Sequence, residues 1–324
     1  MLVCLLLLVA LGLVVLTASI IGSQRLPLTG SLCALTGRSD CVLSAEERAI
    51  LLDIRLPRIA LAGAVGMCLA AAGAAYQALL RNPLAEPYLL GISNGAAVGT
   101  MAALVFFTGY EWSRPVMAFA GAATATFAVY RLARGRTGAT PERLILAGVI
   151  VTTFLSSAIV FITTVMDATR IRSFTFWLLG DLSGTTTSLL AVALITAMVG
   201  AFVLTLNARS LNLMMLGERD AFDLGVEVSR VRLIVFAAAS LLVGASVASS
   251  GSVGYVGLVV PHLVRLSFGS DNRLVIPAAA IAGATFVIMA DMLARTLIAP
   301  RELPVGAITA LIGAPLFVYL LKRG

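Results

Sequence analysis

Asp291 and Arg295 sit one helical turn apart inside a long apolar segment, so a helix would put them on one face where they can pair. An ionisable side chain within such a segment is a functional hypothesis by default, and its chemistry would be proton relay. A structural ion pair near a membrane edge is the more economical reading. His262, the single histidine, follows Pro261 in GLVVPHLVR. A relay or ligand role competes there with packing and hydrogen bonding at a helix end, and the second is favoured. Metal binding finds no support, because the four cysteines and one histidine show no ligand spacing. Cys4 and Cys68 lie in apolar segments and read as packing residues. Cys33 and Cys41 share one polar loop, where a disulfide is open to them in an oxidising compartment. No Gly-x4-Gly-Lys-Ser/Thr loop, nucleophile–base pair or paired-carboxylate motif is present. The chain reads as a protein that is not an enzyme and binds no cofactor itself. Any energy source is then a partner subunit or an ion gradient.

The elements that must position these residues are membrane helices. Of the 324 residues, 60% are hydrophobic and only 12% charged, about half the charged fraction of a soluble domain. The net charge of +7 comes from basic residues at the ends of apolar runs. Such charges set topology, and a nucleic-acid surface would cluster them instead. The fold class is therefore all-α, a polytopic membrane protein in one domain, 1–324.

Ten spans are expected, at about 2–21, 59–80, 89–108, 114–132, 143–165, 185–206, 231–250, 254–268, 273–295 and 304–321. The first is long enough to cross a bilayer and is read as a retained span, not a cleaved signal. The fourth is short, and the eighth is interrupted by Gly251, Gly254, Gly257 and Pro261. A small excess of Lys and Arg favours both termini, and the loops 131–143 and 207–230, as cytoplasmic. The Gly-x6-Gly spacing at Gly66/Gly73 and Gly244/Gly251 recurs five spans apart, which fits an inverted repeat; close helix packing would also demand small residues there.

Three segments stand out. In RNPLAEPYLLGISNG (81–95), Pro83 and Pro87 end one helix before the next begins. The loop 207–232 offers two short helices, 211–216 and 218–224, ended by Gly217 and Gly225 in left-handed caps. This is a docking element or an ordered solvated loop. Arg55, Arg58 and Arg295 lie at the outer ends of spans, where they either snorkel to headgroups or meet an acidic partner.

These motifs are similar to one family. RLPR (55–58), NPLAEPYLLGISNG (82–95), LILAG (144–148), WLLG (177–180), LNLMMLGERDAFDLG (211–225), GYVGLVVPHLVR (254–265), DMLAR (291–295) and ELPVGAITALIGAPLFVYL (302–320) keep its order. The chain resembles the permease subunits of type II ATP-binding-cassette importers, the iron-siderophore, haem and cobalamin group, and most of all its cobalamin members. The resemblance implies a ten-helix subunit of a homodimer in the bacterial inner membrane, working by alternating access. Two cytoplasmic ATPase subunits, which hold the ATP and Mg, would bind Leu211, Asn212, Leu216, Gly217, Glu218, Ala221, Leu224 and Gly225. A periplasmic or lipid-anchored binding protein would dock on Arg55, Arg58 and Arg295. Thr152, Thr153, Ser156, Ser157, Thr163 and Thr309 would line the pathway, with Thr140 and Pro141 in its gate. The cargo would be an iron chelate, haem or a corrinoid. The rival is a proton-coupled carrier using Asp291 and His262.

Overall fold

The computed structural model describes residues 2–22, 24, 26–35, 43–107, 109–110, 112–135 and 138–323. Among the described residues, ten apolar helices form the bundle. They are α1 (Leu2–Ile20), α4 (Leu56–Leu79), α5 (Ile92–Phe106), α6 (Ser113–Ala133), α7 (Pro141–Val165), α9 (Thr187–Leu206), α12 (Val228–Ser250), α13 (Val256–Phe268), α14 (Asn272–Thr296) and α15 (Val305–Arg323). Seven are long and apolar enough to cross a membrane, while α5, α13 and α15 are shorter apolar helices. Every expected span is thus a helix. Shorter helices join them: α2 (Leu28–Leu35), α3 (Ala45–Ala49), α8 (Ala168–Leu178), α10 (Ala208–Leu216) and α11 (Glu218–Asp223). The Cys33–Cys41 disulfide left open by the sequence involves Cys41, which lies outside the described residues.

Two expectations about spans need correction. The fourth, α6, is full length, because its helix runs on through Ala133 to a two-residue strand pair, Arg134–Gly135 with Gly138–Ala139. The eighth, α13, is shortened at its start and unbroken afterwards, with Gly257 and Pro261 inside the helix. Pro261 supplies no N–H to the carbonyl of Gly257, four residues back. Gln77 Nε2 on α4 donates to Gly257 O at 3.5 Å and Leu258 O at 3.2 Å, which satisfies the freed group.

The core is built around α4, whose run of Ala and Gly is almost wholly buried. A Cβ placed on Gly66 would lie 2.1 Å from Gly283 O, and one on Gly73 would lie 1.9 Å from Gly257 O. Only glycine lets α4 meet α14 and α13 at that distance. Contacts recur after a shift of five spans: α4 on α14 and α12 on α6, α5 on α6 and α13 on α14, α4 on α13 and α12 on α5, α5 on α7 and α13 on α15. The equivalent helices α5 and α13 each begin at a left-handed residue, Gly91 (φ 75, ψ 2) and Tyr255 (φ 66, ψ −18). The two breaks clasp each other, with Tyr88 Oη donating to Val253 O and accepting from Val253 N, each at 3.0 Å. This is the contact pattern of an internal repeat.

Candidate functional site

The arginines expected as a docking set gather at one end of the bundle, but they are buried and partnered within the chain. Arg55 ends a π-helical turn, Ile50–Arg55, that leads into α4. Its guanidinium donates to the carbonyls of Ser19 (3.0 Å), Ile20 (3.1 Å) and Gln24. It therefore caps the C-terminus of α1, where orphan carbonyls favour a cation. Arg58 Nε lies 2.9 Å from Asp291 Oδ1, and its NH1 lies 2.7 Å from Glu302 Oε2. Arg295 Nε lies 2.9 Å from Asp291 Oδ2. The Asp291–Arg295 pair is present as expected. Arg58 and Glu302 complete a network of two cations and two anions that tie α4, α14 and the segment before α15 together. Arg58 and Arg295 are thus paired with acids of the same chain, while Arg55 is bonded to backbone carbonyls alone. Arg58 lines a cavity of about 190 Å³ together with Asp181 and Glu302.

The opposite end carries α10 and α11, and the eight expected coupling residues divide into two groups. Leu211 and Ala221 are buried and hold the pair to the bundle. Asn212 Nδ2 donates to Asp271 Oδ1 at 2.6 Å, and Asn212 Oδ1 accepts from Asn272 N at 2.9 Å. Arg273 and Asn212 together hold the Asp271 carboxyl well below its ordinary range. Glu218 pairs with Arg232 at 2.5 Å, and Arg232 also donates to Ala139 O in the loop before α7. The free group is apolar: Leu216 is 71% exposed and Leu224 62%, and Phe222, outside the eight, joins them at 71%. A rigid pair of helices thus offers three apolar side chains at a polar end of the molecule. The glycines also differ from expectation. Gly225 (φ 85) is a left-handed cap, whereas Gly217 (φ 159) is close to extended backbone. Sequence reasoning missed Phe222, Arg232 and the Asp271-Asn272 start of α14. The last has a readable signal, an N-cap Asp before an apolar run.

The residues expected along the pathway lie mainly on α7, which is mostly unburied, with Leu146, Phe154, Val160 and Phe161 exposed. Thr140 caps α7 by accepting from Arg143 N, and Pro141 occupies the first turn. Thr153 and Ser157 are exposed, yet each hydroxyl donates to the carbonyl four residues back, at 2.9 and 3.1 Å. Thr163 donates to Val160 O at 2.6 Å. Thr152 and Ser156 turn toward α5, where Asn94 Nδ2 reaches Thr152 O at 3.2 Å and Ser156 Oγ at 2.8 Å. Thr309 is buried and donates to Gly306 O at 3.0 Å, so it lines no open surface, contrary to expectation. Its place in the first turns of α15, packed on the bundle, removes it from solvent. His262 is only half-buried and Asp291 is held by two arginines. Among the described residues no cluster of three potential metal ligands exists.

A bundle of ten apolar helices among the described residues, with a braced helical pair at one end, is the architecture of a multi-pass membrane protein. The chain belongs to the FecCD transport family, whose model matches residues 6–323. It is 44% identical over 270 residues to the cobalamin import system permease protein BtuC of Halobacterium salinarum, covering 83% of this chain and 72% of that one. It is 42% identical to the hemin transport system permease protein HmuU of Yersinia pestis, covering 85% and 83%. Among solved structures, one described as an inward-facing metal-chelate type ABC transporter matches with a TM-score of 0.88 and 28% identity, covering 99% of each chain.

Proposed function

We propose that two copies of this chain form the membrane channel of an ATP-driven importer for a corrinoid, haem or iron chelate in a bacterial inner membrane. The whole chain acts as one transmembrane domain. Its termini and the α10–α11 pair face the cytoplasm, where two ATPase subunits with their ATP and Mg seat on Leu216, Phe222 and Leu224. Hydrolysis occurs on those partners and reaches the bundle through Asn212, Glu218 and Arg232. The exposed faces of α7 and α15 meet the second copy and border the pathway. Hydroxyls bonded to their own helix leave that wall few free donors, which suits passage of a large cargo without tight binding. A substrate-binding protein docks at the other end, and its carboxylates exchange with Glu302 on Arg58.

The observation that carries this reading is the apolar triplet on a braced element, since exposed apolar side chains on a polar loop mark a partner surface. Leu216→Asp with Phe222→Asp should leave the chain folded, because both side chains are already exposed, yet abolish ATPase association and uptake. Retained association would count against the assignment. In liposomes the chain alone should move nothing under a proton gradient. Gradient-driven uptake abolished by Asp291→Asn or His262→Ala would establish the proton-coupled carrier instead.

A further inference from the structure

The seams between α6, α9 and α12 carry an open groove that the transport reading does not use. One stretch, about 250 Å³, runs between Trp112, Phe119, Val192 and Leu241. Past Phe119 and Leu241 it continues as a second stretch of about 270 Å³ between α6 and α12. At its other end it shares Pro115, Leu189, Ala248 and Ser249 with a vestibule of about 420 Å³. The charged side chains lining that vestibule are Arg114 and Asp181. Arg114 has no ion pair among the described residues. One carboxylate oxygen of Asp181 accepts from Ser183 N at 2.8 Å, which leaves the other oxygen available.

The dimensions and chemistry match an amphiphile. On α12 the first stretch spans Leu241 to Ser249, about 12 Å at 1.5 Å per residue. One leaflet of bilayer hydrocarbon is about 15 Å deep. We propose that groove and vestibule together bind one phospholipid with an ethanolamine headgroup. Its acyl chain lies along Phe119 and Leu241, its phosphate meets Arg114, and its ammonium meets Asp181. A guanidinium suits phosphate, and a primary ammonium brings donors that a carboxylate can accept. A glycerol headgroup offers Asp181 no cation, and a choline headgroup offers it no N–H donor. The proposal is independent of what the permease carries.

The chain has two tryptophans, and both border this site, Trp112 in the groove and Trp177 in the vestibule. Phospholipids with brominated acyl chains, titrated into the detergent-solubilised full chain, therefore report on it through tryptophan quenching. Brominated phosphatidylethanolamine should reach half-quenching at about fivefold lower mole fraction than the phosphatidylglycerol or phosphatidylcholine analogue, the scale of one exposed charge contact. Asp181→Asn should erase that preference, weakening phosphatidylethanolamine more than phosphatidylcholine, whose quaternary ammonium keeps its charge but offers no N–H donor. Arg114→Gln should weaken all three lipids. Should Arg114→Gln fail to fold, the Asp181→Asn titration decides alone. Identical curves for the three headgroups, or a preference that survives Asp181→Asn, would mean ordinary annular lipid only and would overturn the proposal.

Discussion

Replacing Asp291 by Asn removes one charge at nearly constant volume, and the ion-pair network sets the cost. The side chain is 1% exposed and contacts both Arg58 and Arg295. After the change Arg58 keeps Glu302 at 2.7 Å, whereas Arg295 keeps no acid in contact. Stranding one member of a buried pair costs about 3–5 kcal/mol. At 1.4 kcal/mol per factor of ten, the ratio of folded to unfolded chain should fall by about a hundredfold or more. Glu302 also touches Arg58, but its side chain is 44% exposed. Its replacement by Gln should cost about 0–1 kcal/mol, as for other solvated pairs. Adding Arg295→Met to Asp291→Asn removes the stranded cation and should restore part of the loss. The assay is the fraction of chain that stays monodisperse after graded heating in detergent. Equal losses from Asp291→Asn and Glu302→Gln, or no recovery in the double variant, would refute the reasoning.

Local geometry sets three further outcomes. Gly225→Val should cost about 1–2 kcal/mol, because φ is +85 there, and should expose 216–227 to protease; Gly217→Val should also do so, because a Cβ there would lie 2.8 Å from Asp220 Oδ2. Gly66→Ala should cost about 1–3 kcal/mol in thermal melting by forcing a Cβ onto Gly283 O, whereas Gly244→Ala, with its nearest contact at 3.4 Å, should be tolerated. The Asp271 carboxyl is held below its ordinary value, so its contribution is present above the ordinary carboxylate pKa of about 3.9 and fades only as pH falls below that. Amide-exchange protection of α10, corrected for intrinsic rate, should therefore persist on acidification from pH 7 to about 4.

The spans were legible because each is an apolar run closed by charge, glycine or proline, and a bilayer tolerates little else. The helical pair 208–223 was legible for a similar reason, with a glycine at each end. The charge network was only half legible. Asp291 and Arg295 lie one turn apart in sequence, so a helix brings them together by itself. Arg58 reaches Asp291 and Glu302 only through the packing of α4 on α14 and the segment before α15. Likewise Arg55 sits far along the chain from the α1 carbonyls it caps. A charge at a span end reads as exposed until the neighbour that covers it is known. Thr309 failed in the same way, since a hydroxyl in an apolar helix can face a pathway or its own backbone. Burial depends on which helices surround α15.

The glycine contacts also govern how this bundle can move. Where backbone meets backbone, as α4 meets α14 at Gly66 and α13 at Gly73, neither helix can slide without carbonyl overlap. Those three helices are a single rigid body. The same holds for α5 on α6, where a Cβ on Gly95 would lie 2.4 Å from Gly121 O and one on Gly99 would lie 2.0 Å from Met117 O. Between α12 and α6 the contact is made by side chains instead, with Gly244 facing Ala122 and Phe119 at ordinary contact distance. Rotamer changes relax such a seam; they cannot relax a backbone contact. The α6–α12 seam is therefore the more easily relaxed of these helix contacts.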